Sequence, residues 1–82
     1  MESKIQSKII KNLEQDGYFV LKLIKTNKNG IPDLLVIKDG KCFFVEVKTL
    51  SGIVSQIQKY RIEELQKFNT VTKIWTDYKI DK

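Results

Sequence analysis

The strongest constraint on this chain is the pair Asp39-Gly40, which stands between two apolar segments. An Asp-Gly pair flanked by β-branched and aromatic residues predicts a β-hairpin with a two-residue turn. The predicted strands are residues 33–38 and 41–48. Their apolar residues alternate onto both faces, so we expect the hairpin to be covered on both sides.

The register of this hairpin brings two carboxylates together. With Asp-Gly as the turn, counting outward along both strands places Asp33 opposite Glu46, with Cβ atoms roughly 4.5–5.5 Å apart. Lys48 lies two residues beyond Glu46 and therefore points to the same face. Opposed like charges weaken a sheet, and a divalent cation with oxygen ligands fits between them. Two acids, a metal ion and an ammonium group describe a metal-dependent phosphodiesterase site. Alternatively, Lys48 only neutralises two surface acids.

Composition excludes several other chemistries. The 82 residues correspond to one domain, residues 1–82, and contain no histidine, which excludes Ser-His-Asp and Cys-His catalysis. The one cysteine, Cys42, cannot form an intrachain disulfide, and we expect it to be a small buried hydrophobe in a reducing cytoplasm. A net charge of +5 is compatible with nucleic-acid binding. No segment is apolar over the length of a membrane span.

The remaining pattern predicts the element order α-β-β-β-α-β. Ile5, Ile9 and Leu13 recur at four-residue spacing in the first helix, and Ser55 is a good N-cap for the second. The loop over 26–30 either connects two strands or touches a phosphate through Lys28. Besides the hairpin strands, the predicted elements are a helix over 2–15, a strand over 18–25, a helix over 56–68 and a strand over about 70–78.

Three short segments in this order resemble a known family. They are Gly30-Ile31-Pro32-Asp33, Glu46-Val47-Lys48 and Ser55-Gln56-Ile57-Gln58. The chain resembles a VRR-NUC domain of the PD-(D/E)XK nuclease superfamily over nearly its whole length. The resemblance implies an α/β (α+β) fold with a restriction-endonuclease-like core, in which helices flank a mixed β-sheet.

The resemblance also implies roles for single residues. Asp33 and Glu46 match the metal-binding acids, and the backbone carbonyl of Val47 matches a further ligand. Lys48 matches the catalytic lysine, which orients or activates the attacking water. Gln58 matches the glutamine of the second helix near the site.

Two of these matches leave alternatives open. Gln56 competes with Gln58, because the register of the match is imperfect. Glu2 matches an acid of the first helix that is often an accessory metal ligand, but a glutamate in a first turn also complements the helix dipole.

The function implied by the resemblance is a Mg²⁺-dependent DNA endonuclease, with Mn²⁺ able to substitute. The expected substrate is branched DNA such as a Holliday junction. The enzyme is expected to act as a homodimer and not to associate with a membrane. The expected location is the cytoplasm of a bacterial cell or of a virus-infected host cell. The alternatives are a non-catalytic nucleic-acid-binding or assembly module, an RNA or nucleotide phosphodiesterase, and a helix–sheet protein with an incidental acid pair.

Overall fold

The structure is a computed structural model that describes residues 2–49 and 51–75, with side chains from residue 4 onward in these ranges. The predicted order α-β-β-β-α-β is confirmed. The elements are α1 (Glu2–Gln15), β1 (Phe19–Lys22), β2 (Leu34–Lys38), β3 (Lys41–Val47), α2 (Gln56–Gln66) and β4 (Thr72–Trp75). Within these ranges no helix is both long and apolar enough to cross a membrane.

The four strands form one mixed sheet in the order β1-β2-β3-β4. β1, β2 and β3 pair antiparallel, whereas β4 pairs parallel with β3. A parallel neighbour needs a crossover connection, and α2 lies in the segment that supplies it. This is the predicted mixed sheet with helices, and the α+β fold class is confirmed.

The hairpin at the centre of the sheet has the predicted register. Lys38 pairs with Lys41, and Leu34 pairs with Val45. Asp39 and Gly40 have φ values of 54° and 76°, and a type I′ turn requires positive φ at both central residues. The turn sequence therefore fixes which residues of β2 and β3 face each other.

One face of the sheet carries the core. α1 packs against β1 and β3, and its Ile9 and Leu13 are buried there as their four-residue spacing predicts. α1 ends at Gln15, and Gly17, which has a φ of 89° and donates its N–H to the Glu14 carbonyl, closes its C-terminus. The buried sheet residues of this core are Leu34, Val36, Val45 and Val47.

The opposite face, on which Glu46 lies, is less covered than expected. α2 lies on this face but has no fully buried residue, and the Phe19 side chain is 61% exposed. The expectation that Cys42 is buried is wrong, because its side chain is exposed near the hairpin turn. Gln58 of α2 meets the sheet at the other end of β3, next to Glu46.

Three predicted element boundaries also change by two or more residues. β1 ends at Lys22 and not at residue 25, because its partner β2 begins only at Leu34 and Pro32 has no N–H to extend the ladder. α2 ends at Gln66, two residues early, and the chain turns at Asn69, which has a φ of 64°. β4 is shorter than predicted at its start, and residues 76–78 of that prediction lie outside the described residues.

Candidate active site

Asp33 is held from both sides at the end of the hairpin. It directly precedes β2, opposite Glu46 in the continued register. Its carbonyl accepts a hydrogen bond from the Leu23 N–H at 2.8 Å, and its Oδ2 accepts one from the Val47 N–H at 2.9 Å. Pro32 before it is fully buried, which fixes the approach of the backbone. The Asp33 carboxylate is thereby anchored on β3 beside Glu46.

Glu46 is a buried carboxylate, only 1% exposed. Its Oε2 lies 3.3 Å from the Lys48 Nζ and accepts a hydrogen bond from the Gln58 Nε2 at 2.7 Å. A buried charge is stable only when it is paired and hydrogen-bonded. The chain itself supplies both partners, Lys48 and Gln58.

Lys48 lies on the same face as Glu46, as the strand alternation predicts. Its side chain is 12% exposed, and its backbone N–H donates to the Trp75 carbonyl at 3.0 Å. The β3–β4 ladder therefore fixes the backbone of Lys48, and the ion pair with Glu46 holds its ammonium group at the edge of the site. An ammonium group in such a position can orient a water molecule or stabilise charge on a phosphate.

Gln58 reaches the site from the first turn of α2. Its Oε1 accepts from the Ser55 N–H at 2.9 Å, and its backbone N–H donates to the Ser55 Oγ at 3.3 Å, which together form a capping box. Gln56 is exposed on the same turn. Of the two glutamines that compete in the sequence, Gln58 is the one that contacts Glu46.

α2 is also tied to the loop that leads into Asp33. The Arg61 Nε donates to the Asn29 carbonyl at 2.8 Å, and a Cβ on Gly30 would lie 2.6 Å from the Ile57 carbonyl oxygen. The Arg61 guanidinium also hydrogen-bonds to Glu64 at 2.6 Å and lowers the pKa of that carboxyl group. The loop and the helix that carries Gln58 are therefore packed as one unit.

The donor set fits a magnesium-type ion better than a zinc ion. Within the described residues, no group of three or more His, Cys, Asp or Glu side chains could form a protein metal cage. Mg²⁺ needs only one or two carboxylates together with water and phosphate oxygens, and Asp33 and Glu46 offer these. The side chain of Glu2, the predicted accessory ligand, lies outside the described residues.

Sequence reasoning missed how α2 is anchored. The capping box has a sequence signal, Ser55-x-x-Gln58, which predicts the hydrogen bonds at the start of the helix. The contacts of Gly30 with Ile57 and of Arg61 with Asn29 have no local signal. They join residues far apart in the chain, and only the fold brings them together.

The central hairpin of this mixed sheet carries two acids and a lysine at one end, and a helix donates a hydrogen bond to one of the acids. This is the arrangement of a VRR-NUC-like nuclease domain. Residues 2–81 match the family described as Nuclease-related domain (NERD), and the chain belongs to this family.

Two relatives agree with this assignment. A solved structure described as a VRR_NUC domain superposes with a TM-score of 0.83 at 28% identity, over 94% of this chain and 85% of that chain. A crossover junction endodeoxyribonuclease of Sulfolobus islandicus rod-shaped virus 1 is 33% identical over 63 residues, which is 74% of this chain. The match covers 52% of the viral protein, so this chain spans about half the length of that relative.

Proposed function

We propose that this chain is a metal-dependent endodeoxyribonuclease that hydrolyses phosphodiester bonds. The observation that carries the proposal is the buried Glu46 carboxylate, placed opposite Asp33 and 3.3 Å from the Lys48 ammonium group. If Lys48 only neutralised two surface acids, the Glu46 carboxylate would not need to be buried. Membership in a nuclease-related family supports the same chemistry.

The acids would hold Mg²⁺, with Mn²⁺ as a substitute, and the backbone carbonyl of Val47 is a further candidate ligand. Such an ion lowers the pKa of a bound water and stabilises charge on phosphate oxygens. Asp33 is oriented for this role by the Val47 N–H, and Glu46 by Gln58. Lys48 orients the attacking water and stabilises the charge that develops on the phosphate.

The proposed substrate is branched DNA. The viral relative is named a crossover junction endodeoxyribonuclease, and a net charge of +5 favours binding to a phosphate backbone. No described element presents a long basic helix for reading base edges, which favours recognition of DNA shape over sequence. Holliday junctions have the two-fold symmetry that a dimer would match.

The proposed partner is a second copy of this chain. On the Glu46 face, four uncharged side chains of β1, β2 and β3 form a surface that α2 leaves partly open, and we name it the apolar patch: Phe19, Leu21, Ile37 and Cys42. Two-fold symmetry pairs a patch with itself, and an uncharged patch is complementary to its own copy. A chain of 82 residues also gains stability from such burial.

A cleavage panel tests the function. The protein is incubated with single-stranded, duplex, flap and four-way DNA, and with the matching RNA strands, in Mg²⁺, in Mn²⁺ and in EDTA. We expect cleavage of four-way or flap DNA in both metals and none in EDTA. Equal cleavage in EDTA, or cleavage of RNA alone, would contradict the proposal. Metal-independent binding of four-way DNA without cleavage would instead indicate a binding or assembly module.

A further inference from the structure

The side chain of Gln58 has two partners that make opposite demands on it. Its Oε1 accepts from the Ser55 N–H at 2.9 Å, whereas its Nε2 donates to the Glu46 Oε2 at 2.7 Å. A rotated amide would set its NH₂ group against an N–H and its oxygen against a carboxylate. The two partners therefore fix one orientation of the amide, and only an amide side chain satisfies both.

An ordinary capping box does not need this second contact. A glutamate at the same position accepts equally well from the N-cap backbone, so the cap alone does not require glutamine. The donor half of Gln58 is directed at the most buried charged group among the described side chains, Glu46. The helix cap and the acid of the site thus share one side chain.

We propose that Ser55 is a positioning residue of the active site, acting through Gln58 on the carboxylate of Glu46. The Ser55 Oγ accepts from the Gln58 backbone N–H, and the Ser55 N–H holds the Gln58 Oε1. Both halves of the cap therefore restrict the glutamine from which Glu46 receives its hydrogen bond. The proposal rests on the proposed function only where it treats Glu46 as a metal ligand.

The rest of α2 gives this arrangement a fixed base. The close approach of Gly30 to the Ile57 carbonyl and the hydrogen bond from Arg61 to Asn29 hold the first two turns of the helix against the loop before Asp33. With the helix backbone held in this way, Ser55 determines the geometry of the Gln58 side chain at the start of the helix. Groups that orient metal ligands in this way typically change metal affinity or activity about 10- to 100-fold when removed.

The first test reads the hydrogen bond itself in the metal-free protein. The NMR resonances of the Gln58 side-chain amide are compared in the wild type, Ser55→Ala and Ser55→Thr. We expect Ser55→Ala to shift them toward the values of a free amide and to speed their exchange, and Ser55→Thr to restore them. The matched control is Ser51→Ala, an exposed serine in the loop before the helix, which should leave them unchanged.

The second test is a double-mutant cycle on Mg²⁺ affinity, measured by calorimetry. We expect Gln58→Ala to weaken binding about 10- to 100-fold and Ser55→Ala to weaken it about 3- to 10-fold, because the Ser55 N–H remains. If Ser55 acts through Gln58, adding Ser55→Ala to Gln58→Ala changes the affinity less than about 2-fold. Gln56→Ala on the exposed side of the turn is the control.

The outcomes separate this proposal from a simple cap and from the proposed function. Loss of thermal stability in Ser55→Ala with unchanged Gln58 resonances, or additive effects in the cycle, would overturn it. If Ser55→Ala does not fold, Ser55→Gly removes the same Oγ with a smaller loss of helix stability. A wild type that cleaves no nucleic acid, but whose Gln58 resonances respond as expected, would refute only the nuclease activity.

Discussion

At the scale of single residues, the charge of Glu46 governs the site. Taking a carboxylate out of water costs several kcal/mol unless partners replace the water. Removing one partner of a buried ion pair therefore costs about 3–5 kcal/mol. Lys48 and Gln58 replace it here through the same oxygen, Oε2. The site is therefore held together by the chain's own partners, and the predicted ion would add to them.

Removing Lys48 should expose this dependence. We expect Lys48→Met to lower the free energy of unfolding by about 1–3 kcal/mol at pH 7, less than for a fully buried pair because Gln58 still donates to Glu46. Urea unfolding measures the loss, and Mg²⁺ should recover part of it. Lys41→Met, at an exposed position beside the turn, should change stability by less than about 0.5 kcal/mol.

The same pair offers an internal check. Adding Glu46→Gln to Lys48→Met removes the charge that lost its partner, so the double variant should be more stable than Lys48→Met alone. A double variant that is less stable than either single variant would show that Lys48 does not stabilise the Glu46 carboxylate.

Asp33 permits a cleaner separation of charge from structure. An asparagine at this position would keep an oxygen for the Val47 N–H, so we expect Asp33→Asn to unfold within about 1 kcal/mol of the wild type. Loss of the anionic ligand should lower metal-dependent cleavage of branched DNA by about 100-fold or more. The control Asp39→Asn removes a charge at the turn, where the φ of 54° suits asparagine equally well, and should leave cleavage unchanged. Unchanged cleavage by Asp33→Asn would remove Asp33 from the site.

At this scale the sequence predicts the features that depend on strand alternation and register. The facing of Asp33 and Glu46, and the common side of Lys48, require only a two-residue turn and a period of two. The exposure of Cys42 was not predictable in the same way. It depends on which part of the Glu46 face α2 covers, and no local pattern encodes that.

At the scale of elements, the packing of α2 against the loop before Asp33 is the contact that completes the site. Gly30 has a φ of 78° and leaves no room for a Cβ, because that atom would lie 2.6 Å from the Ile57 carbonyl oxygen. Gly40 in the turn has nearly the same φ, 76°, but a Cβ there would meet no atom within 4 Å. The two glycines therefore separate backbone strain from steric contact.

Both glycines are changed to alanine to test this packing. We expect Gly40→Ala to cost about 1–2 kcal/mol of stability from strain alone. Gly30→Ala should cost at least about 1 kcal/mol more, because α2 must shift. Guanidinium unfolding gives both values. Gly30→Ala alone should also reduce cleavage and disturb the Gln58 side-chain resonances. Equal costs for the two variants would mean that α2 can move away without loss.

The sequence predicts the elements better than their packing. Asp39-Gly40 gives the hairpin and Ser55 gives the start of α2, since both signals are local. The early end of β1 needs knowledge of where its partner strand begins. The position of α2 depends on contacts between residues about 30 positions apart, such as that of Arg61 with Asn29, which are properties of the tertiary fold.

At the scale of the whole molecule, the apolar patch predicts self-association. Phe19 and Leu21 are 61% and 41% exposed, and they lie on the same face as Ile37 and Cys42. We expect sedimentation velocity to show a dimer whose fraction rises with protein concentration. Phe19→Lys should shift the protein to monomer, because it places a like charge in each of the two patches that would pair.

A matched substitution controls for this change in composition. Phe68→Lys alters a phenylalanine that is 75% exposed in the turn after α2, outside the apolar patch, and should leave the dimer intact. Both variants should retain the circular dichroism of the wild type. A wild type that stays monomeric at several hundred micromolar, or a Phe19→Lys variant that dimerises as well as the wild type, would contradict the proposed partner.

The distribution of positive charge predicts where DNA binds. The loop before Asp33 forms an open polar cavity of about 310 Å³ that includes Lys25 and Lys28, on the loop that packs against α2. If both lysines contact phosphates, their removal makes the negative slope of the log of the DNA-binding constant against log salt concentration shallower. The change is about 0.9 for each contact, or about 1.8 for the pair. Binding of four-way DNA is measured in EDTA between low and moderate salt, so that cleavage does not intervene.

Two other lysines distinguish this loop from a general effect of net charge. Lys4 and Lys11 lie exposed on α1, which packs on the face of the sheet opposite to the one that carries Glu46. The double variant Lys4→Ala/Lys11→Ala removes the same charge as Lys25→Ala/Lys28→Ala but should change the slope by less than about 0.5, because its lysines lie on the helix that covers the sheet face opposite Glu46. Equal slopes for the two double variants would mean that the charge acts through the field of the whole molecule, and the loop would lose its place in the DNA-binding surface.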